Sequence, residues 1–121
     1  MLFRSALTNL DLGGNAIGDA GVTNLADTLH INASLTSLDL NRNYIRDAGA
    51  AQLAECLRAN AALAALDLTF NFIGDAGATQ LAECLRINNT LTSLNLSENH
   101  IGDQGFQGVS ELADEIGRAH V

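Results

Sequence analysis

The chain overlays itself at a spacing of 28 residues, four times and without a gap. A period of that length admits architectures in which each copy is one small unit, unable to bury its own apolar face and therefore stacked on the next. The copies begin at Leu7, Leu35, Leu63 and Leu91. They open with LTNLDLGGNAIGDAG, LTSLDLNRNYIRDAG, LAALDLTFNFIGDAG and LTSLNLSENHIGDQG. The expected organisation is three full repeats at 7–34, 35–62 and 63–90 and an irregular fourth at 91–115. Residues 1–6 read as the end of a truncated preceding repeat, and 116–121 as a tail outside the pattern.

Counting within a repeat, Leu stands at positions one, four and six, Asn at nine and Ile at eleven. The pair at four and six has the two-residue period of a strand. Leu38 and Leu40 should therefore point inward together, with Asp39 between them pointing out. Leu at nineteen and twenty-three, with Ala at twenty, has helical spacing. Asp19, Asp47, Asp75 and Asp103 stand where a helix would start, placing a carboxylate beside free N–H groups and the positive end of the helix dipole. One strand and one helix per repeat make the strands parallel. Strands about 4.8 Å apart backed by helices about 8–10 Å apart force the stack to curve with the strands inside. The fold class read this way is α/β, a curved solenoid with parallel strands on the concave face and helices on the convex face. Gly21, Gly49, Gly77 and Gly105 at position fifteen, with the alanines at twenty, are expected to let each helix lie close to the strand layer.

The pattern LxxLxLxxNxIxxxGxxxLAxxLxxN, from Leu7 to about Ala113, resembles the leucine-rich repeat in its long, ribonuclease-inhibitor-like subclass. Similar repeats occur in ribonuclease inhibitor, in Ran GTPase-activating protein and in NOD-like receptors, so the resemblance implies protein binding or ligand sensing. The fourth copy departs from it, with Val109, Ser110 and Ala113 where Leu, Ala and Leu are expected and Leu112 one place early. Phe3 aligns with Ile31, Ala59 and Ile87, the end of a repeat. The last six residues, IGRAHV, resemble the translation of a sequencing adapter, which would make the chain part of a longer array.

Composition narrows the partner. Six Arg and no Lys stand against fourteen Asp plus Glu, a net charge of −8. That balance argues against nucleic acid and anionic membrane and favours a protein with a basic surface. No apolar run is long enough to span a bilayer and the N-terminus lacks a signal-peptide pattern. With only Cys56 and Cys84, a disulfide framework is not expected, and the reading is a reducing, cytoplasmic setting. The oligomeric state is left open.

Outward-facing strand positions are two, three, five, seven and eight. Position five carries Asp11, Asp39, Asp67 and Asn95, a row that would attract a cation, although this is also how such repeats are commonly spelled. Position eight varies through Gly14, Arg42, Phe70 and Glu98, which is where a fixed scaffold would carry specificity. The candidate partner-binding residues are Asp11, Asp39, Arg42, Asp67, Phe70, Asn95 and Glu98. At position ten stand Ala16, Tyr44, Phe72 and His100, of which Tyr44 and Phe72 are read either as surface anchors or as core beneath the loop. Asn15, Asn43, Asn71 and Asn99 are expected to form a structural amide ladder. Cys56 and Cys84 share position twenty-two, too far apart for a disulfide if helix spacing holds, and read as small buried hydrophobes. Sequons occur at Asn32, Asn88 and Asn95. No catalytic motif, metal-ligand cluster or cofactor loop stands out, so no enzyme activity, metal or cofactor is expected. The favoured function is a protein-interaction module within a larger protein; the alternatives are a part of a GTPase-activating or other regulatory protein, or a purely structural spacer.

Overall fold

The computed structural model describes residues 7–102. Strands β1 (Asn9–Asp11), β2 (Ser37–Asp39), β3 (Ala65–Asp67) and β4 (Ser93–Asn95) alternate with helices α1 (Gly18–Ile31), α2 (Asp47–Leu57) and α3 (Asp75–Ile87). The strands form one parallel sheet in chain order, and the register pairs Leu10 with Leu38, Leu38 with Leu66 and Leu66 with Leu94. The pairing offset is therefore the repeat length itself. Each helix packs on the helices of adjacent repeats, forming a second layer behind the sheet.

The core lies between these layers and is built from the repeat's apolar positions. Leu38, Leu66 and Leu94 face it from the strands, Leu40 and Leu68 from just past the strand ends, Ile45 and Ile73 from the loops, and Leu53, Leu57, Leu81 and Leu85 from the helices, all buried. Each fully buried leucine contributes about 1.5–3 kcal/mol. The core among the described residues contains no aromatic ring. Position one is buried in Leu35, Leu63 and Leu91, whereas Leu7 is 58% exposed at the first strand.

The aspartates at the helix starts act across repeats. They occupy the first helical turn, and no helix has a side-chain hydrogen bond from its own N-cap residue. Asp19 Oδ1 instead accepts the Arg46 N–H of the next repeat at 2.8 Å. Asp47 Oδ1 accepts the N–H groups of Gly74 and Gly77 at 2.7 and 3.0 Å, and Asp75 Oδ1 accepts that of Gly102. Asp19 and Asp47 thus satisfy backbone donors at the start of α2 and α3, the helices of the following repeats, in place of the local capping that sequence proximity implies. Asp103 lies outside the described residues, as do Gly105 and the rest of the fourth repeat expected to be irregular.

The glycines at position fifteen also serve a different contact from the one expected. A Cβ on Gly77 would lie 2.7 Å from Asp47 Oδ1, 2.9 Å from Ala50 Cβ and 3.0 Å from Ile73 Cγ2; one on Gly49 would lie 2.5 Å from Asp19 Oδ1 and 2.9 Å from Ile45 Cγ2. Gly49 and Gly77 thus admit both the aspartate of the preceding repeat's helix and the core isoleucine of their own loop, whereas at Gly21 the nearest atoms are those of Ile17.

Two asparagine ladders satisfy the turns. Asn71 is buried; its side-chain oxygen accepts the N–H groups of Asn43 and Ile45 at 2.9 and 3.0 Å, and its amide donates to the carbonyls of Leu40 and Leu68, each at 3.0 Å. Asn43 does the same one repeat earlier with Asn15, Ile17 and Leu12, and Asn99 one repeat later with Ile73 and Leu68. The Asn15 side-chain amide, at the first repeat, donates among the described residues within its own loop, to the carbonyls of Leu12 and Gly13. The second ladder runs through the helix-to-strand turns. Asn60 donates to Leu29 O at 2.7 Å while accepting from Ala62 and Leu63, and Asn88 donates to Leu57 O at 2.7 Å while accepting from Thr90 and Leu91. Among the described residues no buried side-chain nitrogen or oxygen lacks a partner.

Candidate protein-binding face

The concave floor is set by the strand register, which brings Asp11, Asp39, Asp67 and Asn95 side by side. Each also closes a turn. Asp11, Asp39 and Asp67 accept the N–H of Gly13, Asn41 and Thr69, two residues on, at 2.9 Å; Asn95 accepts that of Ser97 at 3.0 Å. Asp39 further accepts from the Asn41 amide at 2.6 Å. Asn95 makes the same turn without a charge, so the turn explains the residue type at position five but does not require a carboxylate. Beside the row, small side chains at Ser37, Ala65 and Ser93 leave a shallow trough of about 230 Å³ whose walls include Asp39, Asp67 and Asn95.

Position eight stands beyond the strand ends, not on the strands as expected. The strands stop at position five, and Gly14, Arg42, Phe70 and Glu98 all take left-handed backbone, φ +70, +54, +55 and +59. A side chain in that region costs about 1–2 kcal/mol relative to glycine, so Arg42, Phe70 and Glu98 stand where glycine would be easier. Phe70 is 46% exposed, and the Arg42 guanidinium lies over its ring at 4.3 Å from the centroid. Arg42 also donates to the Asn41 side chain at 3.2 Å. Glu98 is exposed on the far side of Phe70, one repeat on.

At position ten the alternative left open in the sequence resolves to surface. Tyr44 and Phe72 are 57% and 40% exposed. Their rings stack at 5.8 Å between centroids, and Phe72 stacks on His100 at 5.5 Å, both pairs 10° from parallel. Arg46 lies over Phe72 at 5.3 Å. This row lies on the strand-to-helix loops, at the rim of the concave face. The available signal was three rings at one repeat position.

The cysteines are buried and free. Burial pushes both thiols up from 9.0 to about 11; proximity to Cys84 adds to the rise for Cys56, while Arg58 partly offsets it for Cys84. The sequon at Asn88 lies on a buried side chain donating to Leu57 O and Asn60 O, so the folded chain cannot present it. Among the described residues no cluster of three His, Cys, Asp or Glu could hold a metal, and no helix is long and apolar enough to cross a membrane.

Residues 6–26, 32–54, 59–82 and 88–110 each match the family model described as "Leucine Rich repeat". Among solved structures, leiomodin-1 actin-binding site 2 superposes with a TM-score of 0.81 at 25% identity, covering 89% of this chain and 62% of that one. The tropomodulin C-terminal domain of Caenorhabditis elegans superposes with a TM-score of 0.57 at 12% identity, covering 93% of this chain and 84% of that one, a likeness of fold. The chain thus spans less than two thirds of the leiomodin-1 structure. No curated protein sequence matches it.

Proposed function

Because the chain belongs to the leucine-rich repeat family, we propose that it is a protein-binding module that holds a partner with a basic surface on its concave strand face. The observation that carries this reading is the exposed Arg42–Phe70 pair, held in left-handed backbone beside the Asp39 and Asp67 carboxylates. An aromatic anchor flanked by charge is the kind of feature that dominates interface energetics. The carboxylate row, Asp11, Asp39 and Asp67 with Asn95 and Glu98 at its far end, supplies a field that favours a cationic patch, weakened by salt. Asn15, Asn43, Asn71 and Asn99 are assigned to holding the loops rather than to binding. A reducing, cytoplasmic setting suits the two buried free thiols.

The leiomodin-1 segment is named as an actin-binding site, which makes actin the first partner to test. Purified actin is passed over the immobilised chain and over Phe70→Ala, Arg42→Ala and the Asp39→Asn, Asp67→Asn double variant. The expected result is capture that falls about tenfold or more with Phe70→Ala, the scale of an interface anchor, and falls less with the other two. Capture left intact in all three variants removes the concave face. Absence of capture removes actin as the partner.

A further inference from the structure

Every tyrosine and phenylalanine among the described residues, Tyr44, Phe70 and Phe72, stands on the loop rim with 40% or more of its surface exposed. Aromatic rings ordinarily supply the largest single burial in a core; this core is aliphatic, and Tyr44, Phe72 and His100 stack into one outward strip. Such a concentration marks a surface that another molecule covers.

The spacing of the strip selects the shape of the occupant. Tyr44, Phe72 and His100 present one ring per repeat, 5.8 and 5.5 Å apart, with their edges outward because their faces meet one another. An α-helix laid along the row presents one side chain per turn, about 5.4 Å apart. It stays within about 0.5 Å of register over both intervals. An extended segment repeats on one face every ~6.7 Å and drifts by about 1 Å per repeat.

Charge selects the chemistry of its flank. Arg42 lies on Phe70 and Arg46 on Phe72. Neither guanidinium is in a salt bridge among the described residues, although the chain carries −8. A guanidinium presents its N–H groups in a planar fork that matches a carboxylate.

We propose that the strand-to-helix loops form a second docking site, distinct from the concave floor, for an acidic amphipathic α-helix of a partner protein. The helix lies across the repeats, with apolar side chains one turn apart on Tyr44, Phe72 and His100 and a carboxylate at Arg46.

Tyr44 is the only tyrosine and the chain has no tryptophan, so its emission reports this strip alone. The probe is an alanine-based helical peptide of about 15 residues, free of aromatics, with leucines at i, i+4, i+7 and i+11 and flanking glutamates. The expected result is a saturable change in Tyr44 emission, weakened tenfold or more when the same residues are scrambled, when Glu is replaced by Gln, or in Phe72→Ala and Arg46→Gln. The exposed Arg46→Gln change keeps the test alive should Phe72→Ala unfold. The Asp39→Asn, Asp67→Asn double variant is expected to bind the peptide as well as the parent chain. Equal binding of the scrambled peptide, unchanged binding by both rim variants, or no saturable change up to millimolar peptide overturns the proposal. Loss of binding in the double variant also overturns it, because the peptide would then sit on the floor. Failure of the floor variants to affect actin capture leaves this site untouched.

Discussion

Asp47 and Gly77 meet across a repeat boundary: the carboxylate of one accepts the backbone N–H of the other at 3.0 Å, in the space a β-carbon on Gly77 would fill. The same oxygen accepts the Gly74 N–H, so one side chain begins a helix that belongs to the next repeat. Asp47→Ala is expected to lower stability by about 1–2 kcal/mol, the worth of a good helix cap. Gly77→Ala is expected to cost about 1–3 kcal/mol through overpacking. In urea denaturation the double variant should lose less than the sum of the two, because both changes disrupt one contact.

The buried amide of Asn71 holds two N–H groups and two carbonyls of flanking turns. Asn71→Ala is expected to destabilise by at least about 3 kcal/mol, since each abandoned buried group costs about 1–3 kcal/mol. Asn71→Asp, which keeps an acceptor and loses the amide donor, should be similarly damaging. A denaturation midpoint within error of the parent chain for either variant contradicts the ladder's role.

Phe70 stands in left-handed backbone, which glycine adopts freely. The relief in Phe70→Gly, about 1–2 kcal/mol, is set against glycine's greater unfolded entropy and the lost Arg42 contact, each about 0.5–1 kcal/mol. Its stability is therefore expected within about 1 kcal/mol of the parent. Phe70→Val, β-branched and equally without the ring stack, should be less stable than Phe70→Gly in the same urea titration.

The thiols of Cys56 and Cys84 give a pH signature. Burial raises both to about 11 from 9.0, so the folded state holds protons the unfolded state releases. The resulting stability is present below pH 9 and is lost as pH rises from 9 toward 11. Thermal midpoints should decline across that interval, and less so in a Cys56→Ala, Cys84→Ala variant. At pH 8 neither thiol should react with iodoacetamide on the time scale of the unfolded chain, where both react.

The positions whose role is set by local periodicity were readable from the residues. Leu38 and Leu40 alternate with Asp39, Leu53 and Leu57 lie one helical turn apart, and both pairs are buried. Beyond the amide ladder at Asn43 and Asn71, side-chain contacts that reach from one repeat into the next are not written in local periodicity. Asp47 looks like the cap of α2 because it begins that helix, yet its acceptor is spent on Gly74 and Gly77 of α3. Asn60 and Asn88 recur at one repeat position as plainly as Asn43 and Asn71 do, yet the sequence marks them only as a consensus letter and, at Asn88, as a sequon. At the candidate face, the register sets Asp39 beside Asp67 as the repeat spacing implies, whereas Arg42 and Phe70, expected on the strands, stand beyond their ends. The orientation of Tyr44 and Phe72 was not legible, because φ +60 at Tyr44 breaks the strand alternation from which a direction would be inferred.

The backbone-to-side-chain bonds that cross repeats do so at chain separations of 26 to 31 residues, and helices and strands alike contact only their immediate neighbours. The described repeats contain no contact that skips one, and nothing in them records how many there are. Duplication or loss of 28 codons at any point within a repeat therefore restores every hydrogen-bonding partner by its equivalent. The length of such an array, and with it the reach of its binding face, can change by gene rearrangement without the redesign of a single junction.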